Sequence, residues 1–479
     1  MASERHRVSL PRAAGKYVSP GERAERGRAA RKATPRRAHG EWEPAPDRAD
    51  PVAILEEQAL TRLSDLVPIR YARMLVSPFA FFRGAAAIMA ADLAPTPDSG
   101  LVTQLCGDAH LSNFGIFGTP ERKFVFDIND FDETHPGPWE WDVKRLVASF
   151  EVAARECGWS RKARRQILAA TVREYRRAMR ELASSPSLRV WYDHLEVDEL
   201  VAWLRRKFSA KQLVQVDADV AKARTKDSMR ALSKLTSVVG GERRIVHDPP
   251  LVVSIEELLT GEEWHGVEDE IRAMVRRYRR SLTPDRRDLI DQYRLVHLAR
   301  KVVGVGSVGT RAWIALFLGR DDSDPLMLQV KEAQHSVLEP YLEDSEHPTN
   351  GERVVSGQRR MQAAGDPFLG WTHVNRSVLD GQPRDYYVRQ LWDWKGSATI
   401  EALSARGLAV YGRTCAWTLA RAHARGGDRI AIASYLGGGS AFDEAIAAFA
   451  EAYADQNERD YAALAAAAES GRIVAETAP

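Results

Sequence analysis

Asp108 and Asn113 stand five residues apart in a polar stretch that directly follows a short apolar run at 101–105. A second acidic stretch, at 127–133, overlaps the end of a β-branched and aromatic run at 123–128. Both runs are typical of strands, so most of the polar residues are expected on the loops that follow them. One carboxylate could orient a hydroxyl group and take its proton, while another carboxylate and an amide oxygen bind Mg²⁺ on nucleotide phosphates. These residue types and spacings therefore predict phosphoryl transfer.

The two stretches allow more than one assignment of roles. We expect Asp108 to position the hydroxyl group, and Asn113 and Asp130 to hold the metal, with Asp127 as a rival metal ligand. Asp and Asn also cap helices and turns, which would leave all of them without a chemical role. The Gly-Asp-Ala-His sequence at 107–110 contains the Gly-Asp-x-His element of metallophosphoesterases, but those enzymes need several further His ligands and the chain has only twelve His. Hard oxygen ligands favour magnesium over zinc.

A glycine-rich segment at 302–310 supplies the second set of candidates. A dinucleotide-binding loop would need a helix after the glycines, whereas a strand-like run at 311–318 follows them. The glycines are therefore expected in a β-hairpin that covers nucleotide phosphates, and an ordinary tight hairpin is the alternative. The candidate residues of this loop are Gly304, Gly306, Ser307 and Gly309.

Lys331 ends the next strand-like run, at 326–330. A lysine at the end of a third strand can contact the phosphates of a nucleotide, although it could equally be an exposed strand-end residue. Glu352 is the expected acidic partner of Lys331, and Glu339 is almost as good a choice. The segment 392–396 is expected to connect two lobes and to face adenine.

Helices and two groups of strands must position these residues. Apolar spacing predicts helices over 53–93, 142–236, 255–300 and 400–468. In the aromatic segment at 77–84 the Phe side chains are expected in the core, while Arg83 could reach a phosphate. The predicted parts are a disordered basic tail with a Pro-rich joint at 1–50, a helical lobe with the catalytic loop at 51–295, a small β-rich nucleotide-binding lobe at 296–399, and C-terminal helices at 400–479 that pack on the helical lobe.

Composition excludes several classes of protein. The 68 Lys and Arg nearly balance the 66 Asp and Glu, so general binding to nucleic acid or to an anionic membrane is not expected. Residues 1–40 carry eleven Lys or Arg and three acidic residues, and only this tail is a candidate for weak nucleic-acid contacts. The sequence contains neither a membrane-spanning apolar run nor a secretory signal, and its three cysteines are widely spaced. A cytoplasmic protein is therefore expected.

Three ordered segments resemble the catalytic core of aminoglycoside and choline phosphotransferases, which belong to the protein-kinase-like group. They are Gly-Asp-Ala-His-Leu-Ser-Asn at 107–113, Asp-Phe-Asp at 130–132 and Pro-Trp-Glu-Trp-Asp at 138–142. The resemblance implies that Asp108 is the catalytic base, that Asn113 and Asp130 bind magnesium, and that Asp142 is the buried acid that braces the catalytic loop. It also implies ATP and Mg²⁺ as cofactors.

The order of the two sets of candidates is reversed relative to that group. In kinase-like proteins the glycine loop and its lysine precede the catalytic loop, whereas here they follow it by nearly 200 residues. The predicted fold is therefore α+β and two-lobed, kinase-like with circularly permuted connectivity and additional helices. Over most of its length the chain also resembles bacterial domain-of-unknown-function family 2252, a resemblance that implies kinship and no activity.

The predicted function is ATP- and Mg²⁺-dependent phosphotransfer to a hydroxyl group of a small molecule. The expected partners are a nucleotide and this small-molecule acceptor. A nucleotide-binding regulator without turnover is the main alternative, and a metallophosphoesterase is the lesser one.

Overall fold

The protein combines a mainly helical part with a part built on a six-stranded antiparallel sheet, as the predicted α+β class requires. The computed structural model describes residues 17–258, 264–302, 304–377, 380–391 and 394–476. In this portion of the chain no helix is both long enough and apolar enough to cross a membrane.

Helices make up most of the described chain. The α-helices are α1 (Pro20–Ala33), α2 (Pro51–Ala59), α3 (Val67–Met74), α4 (Pro78–Gly84), α5 (Ala86–Leu93), α6 (Trp139–Glu156), α7 (Arg161–Ser184), α8 (Ser187–Tyr192), α9 (Val197–Arg205), α10 (Ala210–Arg224), α11 (Ser228–Leu235), α12 (Ile255–Leu258), α13 (Trp264–Ser281), α14 (Pro284–Ile290), α15 (Asn350–Met361), α16 (Ala405–Gly426), α17 (Arg429–Leu436) and α18 (Ala441–Glu469). The strands are β1 (Val102–Leu105), β2 (Phe114–Gly118), β3 (Phe124–Ile128), β4 (His135–Pro138), β5 (Leu195–Glu196), β6 (Thr236–Val239), β7 (Glu242–Ile245), β8 (Val252–Ser254), β9 (Arg294–Lys301), β10 (Ala312–Leu318), β11 (Pro325–Glu332), β12 (Gly370–Val374) and β13 (Arg384–Gln390).

The helical part is organised around α6, which is buried almost along its whole length. Helices α7, α16 and α18 pack against it, and α16 also runs along α7. Their apolar side chains form one continuous core that includes Trp139, Phe150 and Leu419. Because α6 is enclosed on several sides, its first turn can carry Asp142 into the interior beside the loop that follows β1.

The six-stranded sheet has the strand order β12-β13-β11-β10-β9-β8, and every pair is antiparallel. Helix α13 packs on one face, where Tyr278 shares a core with Leu328. Helix α11 packs on the other face, where Leu232 and Met327 belong to one apolar cluster. Since side chains alternate along a strand, Lys331 lies on the Met327 face of β11.

The sheet part begins earlier in the chain than the predicted boundary at 295/296. Elements from α11 to α14 and strand β8 pack on the sheet or belong to it, although the sequence places them in the helical lobe. Helical periodicity alone cannot tell which neighbour a helix covers, and the sequence therefore did not assign these elements to the sheet.

Residues 17–50 are folded, which corrects the prediction of a disordered tail for this portion, and 1–16 lie outside the described residues. Helix α1 starts with a capping box in which Ser19 and Glu22 exchange hydrogen bonds. Gly27 lets α1 approach α17 so closely that a Cβ at this position would lie 2.0 Å from the carbonyl oxygen of Ala431. Helix α1 has no apolar stripe, so its packing depends on small residues at this contact, which let the two helices approach closely.

The end of α16 lies against β1, although the two are more than 300 residues apart in sequence. Thr103 Oγ1 donates a hydrogen bond of 3.2 Å to the carbonyl oxygen of His423. Gly427 packs on the same threonine, and a Cβ at Gly427 would lie 2.5 Å from Thr103 Oγ1. Helix α16 therefore ends where the strand that leads to Asp108 begins.

Candidate functional site

The loop between β1 and β2 is held in shape by Asp142 at the start of α6. The carboxylate of Asp142 accepts hydrogen bonds from the main-chain N–H groups of Cys106 at 2.8 Å and Gly107 at 3.1 Å. His423 lies on its other side, with Nε2 3.1 Å from Oδ2. Gly107 has φ +84°, and a Cβ there would lie 2.1 Å from the carbonyl oxygen of Glu133, so glycine is required. The contact expected of Asp142 with the catalytic loop is thus present in the structure.

Asp108 and Asn113 lie on this braced loop with their side chains partly accessible. Asp108 Oδ1 accepts a hydrogen bond of 2.8 Å from Arg145 Nε, a residue of α6. Burial raises the pKa of Asp108, and the charge of Arg145 only partly offsets this effect. Asn113 Nδ2 donates to the carbonyl oxygen of Asp108 at 2.8 Å, which leaves the amide oxygen as the atom that can bind a cation.

Asp130 and Asp132 follow β3 and meet Lys331 from the sheet part. Lys331 Nζ lies 2.5 Å from Asp132 Oδ2 and 3.6 Å from Asp130 Oδ2. Tyr387 also donates a hydrogen bond of 2.5 Å to Asp132. Burial and the charge of Asp132 raise the pKa of Asp130, whereas Lys331 and Tyr387 overcome burial at Asp132 and lower its pKa. Asp132 is therefore ionised more easily than Asp130.

Residues from both predicted sets line a single cavity of about 740 Å³, although Lys331 is not among them. Asp108, Asn113 and Asp130 contribute from the helical part, and Gly304, Gly306 and Ser307 from the loop between β9 and β10. Ser307 Oγ donates to Asp132 Oδ2 at 3.3 Å, which joins the loop to the acidic cluster directly. Residues separated by nearly 200 positions thus face one another across one space, which is large enough for a small-molecule ligand.

The glycine loop is fastened to the segment that joins α2 to α3 and to α3 itself. Leu63 N–H donates to the carbonyl oxygen of Gly309 at 2.8 Å, and Arg73 Nη1 donates to that of Gly304 at 2.6 Å. Arg62 donates to the carbonyl oxygen of Val308. Gly309 has φ +89° and contacts Arg62, so it shapes the loop and does not line the cavity. This fastening holds the loop in one position above the acidic residues.

Glu352 is not brought to Lys331. The described ion pairs of Lys331 are those with Asp130 and Asp132, while the main-chain N–H of Glu352 is bound by the helix-capping Thr349. The next residue of α15, Arg353, faces the site instead and donates to the carbonyl oxygens of Asp132, Thr134 and Gln334. Glu339, the other candidate, lies beside Arg353 at 3.5 Å. The acids that pair with Lys331 therefore come from the segment that follows β3 and not from α15.

Asp127 lies away from the cavity. It is buried, and Oδ1 lies 2.5 Å from Arg421 Nη2 of α16. Its Oδ2 accepts a hydrogen bond of 3.0 Å from the N–H of Ala363. Asp127 belongs to strand β3, whereas Asp130 follows its end, and this difference directs the two side chains to different surroundings. The structure therefore does not support Asp127 as a metal ligand.

In the connector expected at 392–396, two main-chain donors are already used by contacts within the protein, and 392 and 393 lie outside the described residues. Trp394 N–H donates to the carbonyl oxygen of Lys226 at 2.7 Å. Gly396 and Ile116 exchange two main-chain hydrogen bonds, at 2.8 and 2.9 Å. The small cavity beside Lys395 measures only about 40 Å³. The connector is occupied by contacts within the protein.

A family model described as "Uncharacterized protein conserved in bacteria (DUF2252)" matches residues 62–467, which is most of the chain. The chain belongs to this family. No curated protein and no solved structure matches it. The region matched in this DUF2252 member includes the loop between β1 and β2, the acidic cluster, the glycine loop and Lys331, so all the cavity residues named above fall within it.

The DUF2252 chain has no group of three or more His, Cys, Asp or Glu side chains, within its described ranges, that could hold a metal ion. Magnesium in phosphotransferases differs from such sites, because one or two protein ligands hold it together with substrate phosphates and water. Asp130 and the amide oxygen of Asn113 line the same cavity and meet that requirement. The residues therefore fit magnesium that arrives with a phosphate ligand.

Glu133 makes the stability of the protein depend on pH. Burial raises its pKa to about 7, against the hydrogen bond of 2.8 Å from the N–H of Val337 and the charge of Arg353. The folded-state pKa is higher than that of the unfolded chain, so the stabilising contribution is complete below about pH 4 and is lost as pH rises towards 7. Between pH 5 and 8 the free energy of unfolding of Glu133→Gln should therefore change by about 1–3 kcal/mol less than that of the parent, as measured by urea unfolding.

The matched control for this experiment is Glu121→Gln at an exposed position. Glu140 remains in every variant, and because burial also raises its pKa to about 7, some pH dependence persists. An unchanged pH dependence in Glu133→Gln would contradict the assignment.

Asp132, Arg145 and Arg353 are site residues that the sequence interpretation did not assign. Asp132 lies within the Asp-Phe-Asp segment, so its type and position were visible. Arg145 follows Asp142 by three residues, and this spacing places both on one face of α6. For Arg353 the sequence contains no comparable signal.

Proposed function

We propose that this DUF2252 protein is a phosphotransferase that uses magnesium and a nucleoside triphosphate, with ATP as the expected donor, to phosphorylate a hydroxyl group of a small molecule. The observation that carries the proposal is the shared cavity in which Asp108, Asn113 and Asp130 face the glycine loop. Phosphoryl transfer depends on positioning and on electrostatic stabilisation, and these residue types supply both.

Each residue has a role that follows from its surroundings. Asp108 orients the acceptor hydroxyl and takes its proton, and its raised pKa suits a general base. Asn113 and Asp130 hold magnesium, which when bound with the nucleotide neutralises charge on the phosphate oxygens. Lys331 is buried behind Asp130 and Asp132, which line the cavity, and its ion pairs hold these two carboxylates in place. Arg145 fixes the carboxylate of Asp108.

The phosphate end of a nucleotide fits the residues better than the base end does. Main-chain groups of Gly304 and Gly306 line the cavity, as phosphate binding by a glycine loop requires. The connector beside Gly396 is closed by hydrogen bonds to Ile116, so the base has to occupy the 740 Å³ cavity itself.

The order of elements supports a permuted kinase-like fold as part of the proposal. A glycine-rich loop between two strands, a lysine on the third strand and a helix after it are the nucleotide-binding parts of kinases. Here they are the β9-β10 loop, β11 with Lys331, and α15. In the unpermuted order a helix leads into the catalytic loop, and α16 ends beside β1, where that connection would run.

A regulator that binds nucleotide without turnover is the second candidate. The observation in its favour is that Arg145 holds one carboxylate oxygen of Asp108 and could compete with a substrate hydroxyl. Such a protein would keep the binding function of Lys331 and the glycine loop.

Substitution of Asp108 separates the two candidates. We expect Asp108→Asn to slow ATP hydrolysis, with water as the acceptor and Mg²⁺ present, by about 100-fold, because general-base catalysis contributes on this scale. Affinity for magnesium and a non-hydrolysable ATP analogue should change little in calorimetry, since Asp108 acts on the acceptor side.

Asp269→Asn is the control for that experiment, because Asp269 is 88% exposed and lies outside the cavity. Binding without turnover in the parent protein and in Asp108→Asn alike would favour the regulator. Absence of nucleotide binding in the parent would contradict both candidates.

A further inference from the structure

Three arginines of the amino-terminal helical segment line the same cavity as the acidic residues. They are Arg62, between α2 and α3, Arg70 in α3 and Arg83 in α4, and we call them the arginine wall. Apart from Arg83, which the sequence offers as a phosphate contact, the segment that carries them, 51–84, supplies none of the residues assigned above to phosphate or metal. It therefore adds a separate set of charges to the cavity.

The arginine wall has unused hydrogen-bond donors. Arg70 is fully buried, and its Nη2 donates to Gln58 Oε1 at 2.8 Å and to the carbonyl oxygen of Gly84 at 3.3 Å. Its Nε and Nη1 are buried without a partner among the described residues. The Nε atoms of Arg62 and Arg83 are also buried without a partner among the described residues. Buried donors normally have partners, so a ligand is expected to supply them.

No arginine of the wall forms a direct ion pair with a described carboxylate, although the charge of Glu133 acts on Arg62 and that of Asp108 on Arg83 from a greater distance. None of its arginines lies within 4.0 Å of a described carboxylate oxygen, whereas Asp108 is paired with Arg145, and Asp130 and Asp132 with Lys331. Burying an unpaired guanidinium is costly, and here burial lowers the pKa of Arg70, with the charge of Arg62 adding to the effect. A bound anion would remove this cost.

The position of the wall relates it to the acceptor. Arg83 is close enough to Asp108 to lower the pKa of that carboxyl group against the effect of burial. The main-chain carbonyl oxygen of Arg83 lies close to the glycine loop, because a Cβ added at Gly306 would be 3.3 Å from it. Arg83 therefore lies between the loop that carries Asp108 and the glycine loop. In the proposed function the donor phosphates would be neutralised by magnesium held by Asn113 and Asp130, and Asp108 is the residue assigned to the acceptor hydroxyl.

We propose that the arginine wall binds a phosphate group of the acceptor, so that the substrate is a hydroxyl compound that is already phosphorylated. The identification of this anion with the acceptor rests on the proposed function, whereas phosphate binding by the wall does not. Guanidinium groups suit this ligand because their planar N–H pairs match phosphate oxygens. A phosphate dianion bound among these groups would explain why none of them has a direct carboxylate partner.

Inorganic phosphate is the probe for the test, measured by calorimetry on the full chain without nucleotide or magnesium. We expect Arg62→Gln and Arg83→Gln each to weaken phosphate binding by about tenfold or more, because each removes a charge-assisted contact. Arg70 is tested with Arg70→Gln. If this variant does not fold, Arg70→Lys takes its place, because it keeps the charge of the buried position. Arg173→Gln is the matched control, since Arg173 is exposed on α7. Equal phosphate affinity in the parent, Arg62→Gln and Arg83→Gln, or no binding in the parent, would overturn the proposal.

A second titration identifies the source of the phosphate group. Phosphate is added to protein saturated with magnesium and a non-hydrolysable ATP analogue, and we expect its affinity to be unchanged. Displacement of phosphate by the analogue would assign the wall to the donor and overturn the acceptor proposal. If the analogue itself does not bind, the proposed function fails, while a loss of phosphate binding in Arg83→Gln would still support the wall as an anion site.

Discussion

Asp130→Asn is expected to lower magnesium-dependent ATP turnover by about 1000-fold and to leave the protein at least as stable as the parent. The catalytic loss follows because a metal-holding carboxylate acts where charge on the phosphates is largest. Stability is preserved because burial and the neighbouring Asp132 penalise the ionised form of Asp130, as its raised pKa indicates. A neutral side chain of the same shape removes that penalty, and Lys331 keeps its contact with Asp132.

The measurements for this variant are turnover as a function of Mg²⁺ concentration and urea unfolding at pH 7. Asp269→Asn serves again as the exposed control. Turnover within about tenfold of the parent would remove Asp130 from the metal site, since loss of a single electrostatic contact to a transition state already exceeds this factor. A large loss of stability would show that Asp130 is structural.

The position of Asp108, Asn113 and Asp130 around one cavity could be predicted because the information that sets it is local. Asp108, Asn113 and Asp130 are separated by a single hairpin, so their spacing fixes how far apart they can lie. Short connections leave few arrangements to choose from. The contact of Asp142 with the loop after β1 was expected from the resemblance alone, and the structure contains it.

The partners of Lys331 and of Asp127 could not be predicted, because they depend on how distant elements face one another. Glu352 and Arg353 are neighbours on α15, and a rotation of one residue decides which of them meets the site. Only the packing of α15 against β12 and β13 sets that rotation, and the sequence of α15 alone does not contain it. Asp127 is similar, because its partner Arg421 lies 294 residues away on α16.

The folded segment at 17–50 illustrates a different limit. Its composition is polar, so an estimate from hydrophobicity predicts disorder. The structure orders it through a few specific contacts: His39 is buried 2.6 Å from the hydroxyl of Tyr435, and Arg48 forms ion pairs of 2.6 Å with Asp92 and Asp460. All three partners are remote in sequence, so no local pattern reveals them.

Asp127→Asn is expected to show the opposite behaviour to Asp130→Asn, with a loss of about 3–5 kcal/mol in the free energy of unfolding. Arg421 is almost completely buried, and its Nε and Nη1 have no partner among the described residues, so Asp127 is its counter-charge. Neutralising Asp127 leaves that guanidinium buried and unpaired. Urea unfolding measures the loss, and the double variant Asp127→Asn with Arg421→Met should recover part of it because the unpaired charge is gone.

At a temperature where Asp127→Asn is still folded, its turnover should depend on Mg²⁺ concentration as that of the parent does. The reason is geometric, since both carboxylate oxygens of Asp127 are bound to Arg421 and to the N–H of Ala363, outside the cavity. A higher Mg²⁺ requirement together with unchanged stability would reverse the assignment and make Asp127 the metal ligand. Because the two aspartates are only three residues apart, this pair of variants tests the register of the acidic cluster, on which the positions of metal, phosphate and acceptor all depend.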